Sequence, residues 1–211
     1  MTALDYLRDP AAIYEASFAT VRREADLGRL PDDLHPVALR IAHACGMVDV
    51  IDDLAFSTDI VAATSRALRR GCTLFCDCRM VEAGIIMRNL PAGCATRVTL
   101  DEPGVHELAT EVRTTRSAAA ITFWRDDLGG SVVVIGNAPT ALFRLLEGLD
   151  ENWPKPAAIL ALPVGFVGAT ESKAALAADS RGVPFLTLRG RRGGSAMAAA
   201  AVNAIASVLR T

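Results

Sequence analysis

The amino-acid sequence predicts an α/β fold, doubly wound, with a mainly parallel five-stranded sheet, helices on both faces and a helical N-terminal segment. Two segments, VVVIGNAPTALFRLLE at 132–147 and AILALPVGFVGATESKAAL at 158–176, each read as a buried strand, a glycine turn and a helix. Hydrophobic residues make up 51% of the chain but aromatic residues only 5%, a balance typical of close packing between helices and a sheet. No linker interrupts the pattern, so we expect residues 1–211 to form a single domain.

Three helices are predicted before the first strand. The Asp-Pro pair at 9–10 is a cap and first-turn signal for a helix that runs towards Asp26. Pro36 opens a second helix, VALRIAHAC, which Gly46 can end in the left-handed conformation. A third helix is expected over 59–70, directly before the apolar run that starts the sheet.

From residue 73 onwards, strands alternate with helices. The predicted strands lie near 73–76, 96–99, 131–135, 158–162 and 184–188. The predicted helices lie around 79–86, 102–126, 139–148, 171–179 and 195–209. Such alternation indicates right-handed crossovers and a parallel sheet that is covered on both faces.

Charge and composition exclude several classes of protein. The net charge is −2 and the basic residues are spread along the chain, so we expect no nucleic-acid partner. The N-terminus has no apolar signal core and carries acidic residues early, which predicts a cytoplasmic protein. The alanine-rich segment 195–209 is too short and too weakly hydrophobic to span a membrane. Neither GxGxxG nor GxxxxGK[ST] occurs, so a bound nucleotide has no motif support.

The five cysteines predict reduced thiols and no metal site. Their number is odd and the chain has no secretory signal, which argues against disulfides. Cys72, Cys76 and Cys78 lie close together, but no CxxC pair or nearby histidine completes a tetrahedral ligand set. We interpret them as small apolar side chains of a strand.

His43 is the candidate catalytic residue. It lies in the last turn of the second helix, where the negative end of the helix dipole favours the imidazolium ion. A histidine of this kind can donate a proton and take it back, which contributes about 10²- to 10⁴-fold in rate. Spacing alone favours an ordinary helix-end histidine. It also favours a solvated arginine at Arg40, one turn earlier.

The carboxyl ends of the strands supply the second group of candidates. Asn137 follows a glycine turn and offers both a donor and an acceptor. Thr170 is predicted to cap the next helix, which places Lys173 in the first turn, where it opposes the dipole and hints at an anionic partner. The GRRGGS segment at 190–195 precedes a helix that Ser195 can cap, a geometry that suits a phosphate or a carboxylate. A phosphate-ligand enzyme therefore stays open at this point.

Several long, separated motifs resemble the precorrin-8X methylmutase family. The matching segments are RIAHACGMVDV at 40–50, YEASFATVRRE at 14–24, TTRSAAAITF at 114–123 and GRRGGSAMAAAAVNAI at 190–205, together with the two strand–turn–helix junctions. The resemblance covers nearly the whole chain. It implies an intramolecular methyl migration from C11 to C12 of precorrin-8X that gives hydrogenobyrinic acid, without a cofactor or metal.

The resemblance also implies roles for individual residues. His43 would be the proton donor and acceptor, and Ser17 would contact the macrocycle. Arg40 would hold a carboxylate of the substrate, and Arg116 would lie near the substrate. Helical spacing places Tyr14, one turn before Ser17, on the same face. A homodimer with the cleft near the subunit interface is the expected assembly.

Two further functions remain open on the same fold. One is action on cobalt-precorrin-8, although the cobalt branch tends to have a Thr-Thr pair after the histidine where this chain has Ala44 and Cys45. The other is a corrinoid-binding carrier that retains the pigment without rearranging it.

Overall fold

The computed structural model describes residues 4–209. Within this range the helices are α1 Pro10–Glu24, α2 His35–Cys45, α3 Ile60–Arg69, α4 Arg79–Gly84, α5 Val105–Glu111, α6 Arg116–Thr122, α7 Pro139–Asp150, α8 Ala169–Ala178 and α9 Ser195–Val208. The strands are β1 Leu54–Phe56, β2 Thr73–Cys76, β3 Ala95–Arg97, β4 Val132–Ile135, β5 Ala158–Ala161 and β6 Phe185–Leu188.

These strands form one sheet in the order β1-β6-β5-β4-β2-β3. All neighbours are parallel except β1, which pairs with β6 in antiparallel register. The chain moves outward from β2 to β3 and then returns to place β4 on the other side of β2. The strand order therefore reverses between β2 and β4, and a doubly wound sheet forms its ligand crevice at such a point, outside the carboxyl ends of the strands.

Helices cover both faces of the sheet, as the sequence predicts. Side chains of a strand alternate between the two faces, so Leu74 and Val134 join one buried cluster while Phe75 and Val133 join the other. The first cluster packs beneath α2, α3 and α9, and the second beneath α6, α7 and α8. The prediction of a doubly wound α/β fold is confirmed.

Two details of the predicted elements need correction. The sheet of residues 4–209 has six strands rather than five, because the three-residue edge strand β1 follows a run of acidic residues and carries almost no periodicity. The helix expected over 102–126 is two helices, α5 and α6. The chain turns between them at Arg113, which has a φ of 53°, and Thr115 then caps α6 by accepting a hydrogen bond from the amide of Ala118.

The ends of the other helices follow local signals. Asp9 caps α1, with its carboxylate 2.8 Å from the amide of Ala12, and Gly46 ends α2 in the left-handed conformation, as predicted. The two caps predicted for the later helices are wrong. Gly168 precedes α8 in place of Thr170, and Gly194 precedes α9 in place of Ser195. Among residues 4–209, no helix is long and apolar enough to cross a membrane.

Candidate active site

The first group of candidate residues comes together where α1 packs against α2. The imidazole Nδ1 of His43 lies 2.9 Å from the hydroxyl of Ser17, at hydrogen-bonding distance. The two residues are 26 positions apart in sequence and meet because the helices pack side by side. With Nδ1 engaged by Ser17, Nε2 is the ring nitrogen available to a ligand.

Aromatic packing fixes the same cluster. The ring of Phe18 stacks on His43 with centroids 4.8 Å apart, and Tyr14 packs on Phe18 at 4.5 Å. The guanidinium of Arg40 donates a hydrogen bond of 2.7 Å to the hydroxyl of Tyr14. Since Phe18 is buried and His43 is exposed, the imidazole has one face on a rigid support and an edge towards solvent. Phe18 is a residue that the sequence analysis did not single out.

His43 borders two adjoining cavities. One, of about 320 Å³, is walled by Tyr14, Arg40 and small residues of α9 that include Ala196. The other, of about 390 Å³, is lined by residues of α1 and α2 that include Ser17. Each has the size of a small-molecule site, and together they form a groove that we call the histidine groove.

The second group of candidates lies at the carboxyl edge of the sheet. The side chain of Asn137 is exposed in the turn after β4. Arg116, at the start of α6, pairs with Asp101 at 2.9 Å and is about half exposed. Ser195 is buried, with its hydroxyl 3.5 Å from the thiol of Cys78. Because Ser195 is followed directly by Ala196, the start of α9 links this edge to the histidine groove.

Asp77 is a functional candidate that sequence reasoning missed. It follows β2 directly, is 3% exposed, and accepts hydrogen bonds from three consecutive amides, those of Gly136, Asn137 and Ala138, at 3.0, 3.0 and 2.8 Å. Burial raises the pKa of this carboxyl, while the three amide donors act in the opposite direction. An acidic residue at the carboxyl end of a buried strand was the available signal.

The structure gives Arg192, in the GRRGGS segment, partners within the protein. Its guanidinium forms two ion pairs, each at 2.6 Å, with Asp49 and Asp53. These carboxylates lie just after α2, so the loop before α9 is tied to the end of the helix that carries His43. The anion site expected from this segment is therefore not an open one at Arg192, whose charge is met by two carboxylates.

Lys173 holds the same loop through a hydrogen bond to its backbone. Its side chain is 1% exposed and its ammonium donates a 2.5 Å hydrogen bond to the carbonyl oxygen of Arg192. Burial lowers the pKa of Lys173 to about 8, and the nearby Asp53 opposes this shift. With Gly168 as the cap, Lys173 falls in the second turn of α8 and not the first. In this arrangement the ammonium is bound to backbone and not presented to a ligand.

Within the described part of the chain, no three histidine, cysteine or carboxylate side chains lie close enough together to hold a metal ion. The thiols of Cys72 and Cys94 are neighbours, and burial raises the pKa of Cys72 to about 12. All five cysteines are free thiols. The buried Cys76 and Cys78 pack in the apolar cluster, as expected for small hydrophobic side chains.

A doubly wound sheet with a histidine-containing groove beside its helices is typical of an α/β enzyme that acts on a small organic molecule. The family model of precorrin-8X methylmutase matches residues 12–208. The chain belongs to the precorrin-8X methylmutase family, the isomerases that rearrange this precursor in cobalamin biosynthesis.

Individual relatives agree with this assignment. The precorrin-8X methylmutase of Pseudomonas aeruginosa is 61% identical, over 97% of this chain and 98% of its own length. The enzyme of the same name from a Sinorhizobium species is 53% identical over 98% of both chains. The structure of precorrin-8x methyl mutase from Thermus thermophilus superposes with a TM-score of 0.84 at 32% identity, covering 94% of this chain and 96% of that one. Relatives called cobalt-precorrin-8 methylmutase are 30–38% identical.

Proposed function

We propose that this isomerase moves a methyl group from C11 to C12 of metal-free precorrin-8X to give hydrogenobyrinic acid, with His43 as the acid and base. The observation that carries the proposal is the hydrogen bond between His43 and Ser17 beside the histidine groove. It holds one ring nitrogen with the protein, and the other is the one that can meet a ligand. The rearrangement takes place within one molecule, so no external methyl donor enters the step.

The hydroxyl of Ser17 sets the direction of proton transfer. A hydroxyl both donates and accepts, and it accepts from Nδ1–H when the imidazole is charged. The proton on Nε2 is then the one that the imidazolium gives to a ring nitrogen of the substrate. After transfer, the neutral ring keeps its proton on Nδ1, and Nε2 is free to take the proton back when the methyl group has moved. In this proposal the hydroxyl of Ser17 accepts from Nδ1–H throughout the cycle, so Nε2 is the nitrogen that gives and takes the proton.

Arg40 and Tyr14 are positioned to bind the periphery of the macrocycle. Precorrin-8X carries several carboxylate side chains, and a guanidinium binds a carboxylate through two parallel hydrogen bonds. The bond from Arg40 to Tyr14 uses one nitrogen of the guanidinium, and Arg40 also lines the groove on the side facing α9. We propose that Asn137, Arg116 and Ser195 contact the substrate where it extends towards the sheet edge.

Lys173 is the weakest of the predicted substrate contacts. Its buried ammonium would have to leave the carbonyl of Arg192 to reach a ligand. We propose that it supports the loop before α9 and acts on the substrate only through that loop.

The metal-free substrate is the better supported of the two alternatives. The relatives at 61% and 53% identity carry the metal-free name, whereas the relatives named for the cobalt substrate are more distant. Ala44 and Cys45 after the histidine point the same way.

We further propose that the enzyme is a cytoplasmic homodimer. Phe166 and Val167, in the loop after β5, are 86% and 89% exposed, and apolar side chains exposed to this degree side by side favour a protein contact. Light scattering on the purified protein measures the mass directly. A mass of about one chain at micromolar concentration contradicts the dimer.

The function is tested by following the visible spectrum of metal-free precorrin-8X under anaerobic conditions. Wild type is expected to convert it to hydrogenobyrinic acid, and His43→Ala to lower turnover by about 10²- to 10⁴-fold while product binding is kept. Ser17→Ala is expected to lower turnover less, because the imidazole stays but loses its fixed tautomer. His106→Ala, an exposed histidine on α5, is the matched control and leaves turnover unchanged.

The alternatives predict different outcomes in the same assay. Turnover only with cobalt-precorrin-8 assigns the cobalt substrate. Binding without conversion of either compound by wild type favours a carrier, and full activity in His43→Ala removes the proposed acid and base.

A further inference from the structure

The turn that carries Asn137 lies at the point where the strand order reverses, between the ends of β2 and β4. In doubly wound folds this position commonly binds an anion or a polar ligand, because backbone amides at the following helix point towards it. Here the amides of 136–138 converge in the same way, directly before α7. Their acceptor, however, is a side chain of the protein itself, the carboxylate of Asp77.

Backbone pairing also fixes the position of Asp77 itself. The amide of Asp77 donates to the carbonyl oxygen of Val134 at 3.2 Å, so its backbone continues the pairing of β2 with β4. One carboxylate oxygen accepts from Gly136 and the other from both Asn137 and Ala138. The three bonds engage both oxygens of the side chain, and together they fix the backbone on either side of Asn137.

The same turn contacts the start of α9. A methyl group on Gly136 would lie 2.8 Å from the Cα of Ser195 and 2.9 Å from the Cβ of Ala198, closer than a side chain tolerates. The turn and the helix therefore pack backbone against backbone. A shift of residues 136–138 would displace the start of α9, which continues into the wall of the histidine groove at Ala196.

The geometry points to Asp77 as a positioning residue. Its carboxylate occupies the anion-binding turn between β2 and β4. The turn therefore presents the side chain of Asn137 to the substrate, and not its own backbone amides. A carboxylate of the substrate cannot use these amides, because Asp77 already accepts from all three. The turn therefore favours a substrate group that forms hydrogen bonds with the neutral amide side chain of Asn137. This inference rests on the proposed function, since it requires that Asn137 contacts the substrate.

The test is a double-mutant cycle that measures the affinity of the full-length enzyme for hydrogenobyrinic acid. Binding is monitored by the visible absorption of the bound product. Asp77→Asn keeps the shape of the side chain but turns one acceptor into a donor facing an amide. We expect Asp77→Asn and Asn137→Ala each to weaken binding about tenfold, and the double variant to weaken it about tenfold rather than a hundredfold. Ser131→Ala is the matched control, since it loses a buried 2.6 Å hydrogen bond at the opposite end of β4 and should leave affinity unchanged.

The outcomes separate the inference from the proposed function. If Asn137→Ala weakens binding while Asp77→Asn does not, or if the two losses add fully, Asp77 does not act through Asn137 and the inference is overturned with the proposed site intact. If Asn137→Ala has no effect, the place of Asn137 in the proposed site is wrong and the inference fails with it.

A measurement on the unmodified enzyme covers the case in which Asp77→Asn does not fold. Hydrogen exchange should show the amides of 136–138 protected before product is added, because Asp77 already holds them. Exchange as fast as that of the exposed Phe166 and Val167, with protection appearing only when product binds, would show that the substrate and not Asp77 orders the turn.

Discussion

The buried ammonium of Lys173 makes folding stability depend on pH in a way that can be calculated. Its pKa is lowered from 10.5 to about 8 by burial, and each pKa unit corresponds to 1.36 kcal/mol. Below pH 8 the group is charged in both the folded and unfolded states, and the cost of burying the charge is fully present. Between about 8 and 10.5 the folded protein loses this proton while the unfolded chain still holds it. The unfolded state then binds more protons, so the free energy of unfolding rises with pH, by roughly 3 kcal/mol in total.

The assay compares urea unfolding of wild type and Lys173→Met at pH 7, 8, 9 and 10. The difference in the free energy of unfolding, wild type minus variant, should increase as pH rises through this window. The variant lacks the hydrogen bond to Arg192 at every pH. This loss therefore shifts the difference between the two proteins by a constant and does not change its slope with pH. Burial also raises the pKa of Cys72, which lowers stability as pH rises above about 9, but both proteins contain this thiol and its effect cancels.

Lys155→Met is the matched control for this prediction. The ammonium of Lys155 also donates to a backbone carbonyl, that of Arg181 at 2.6 Å, but its side chain is exposed. Any change with pH that Lys173→Met shows beyond Lys155→Met is due to burial of the ammonium. A difference between wild type and Lys173→Met that stays constant from pH 7 to 10 would refute the reasoning, because the ammonium would then be hydrated in the folded state.

Two further substitutions test how closely the chain packs around α9. Gly193→Ala should lower the free energy of unfolding by about 1–3 kcal/mol, because its methyl group would collide with the carbonyl oxygen of Leu162. Thermal unfolding measures this, with Gly28→Ala at an exposed glycine as the control. Equal melting temperatures for the two variants would contradict the prediction. Ala196→Leu should abolish product binding by filling the histidine groove, yet change stability by no more than about 0.5 kcal/mol because Ala196 is exposed; full retention of affinity would show that the substrate does not enter this cavity.

Local sequence signals predicted the parts of the molecule that depend on neighbours in the chain. The strand–turn–helix junctions at Gly136 and Gly165 fold as expected because hydrophobic runs and glycines act over a few residues. The cap of α1 at Asp9 and the left-handed Gly46 at the end of α2 are of the same kind. The resemblance, and not spacing, gave Ser17 and His43 separate roles at the substrate, and their hydrogen bond to each other was not predicted.

Contacts between distant segments could not be predicted in this way. Arg192 pairs with Asp53 across 139 positions, and no pattern in either segment names the partner. The GRRGGS segment therefore looked like an anion site, although its Arg192 charge is satisfied internally. Asp77 escaped notice for the same reason, because its acceptor role depends on a turn 59 to 61 positions away that becomes its neighbour only when β4 pairs with β2.

The alanine run at 196–201 shows how one local pattern serves two distant requirements. Ala198 and Ala201 are fully buried and face the sheet, where small side chains let the helix approach the strands closely. Ala196 and Ala200 line the histidine groove on the side facing α2, where larger side chains would fill the space beside His43. A helix propensity argument explains why the run is helical, but it does not explain why leucine is absent from both faces. Close packing accounts for one face. Under the proposed function, the space that the substrate needs beside His43 accounts for the other.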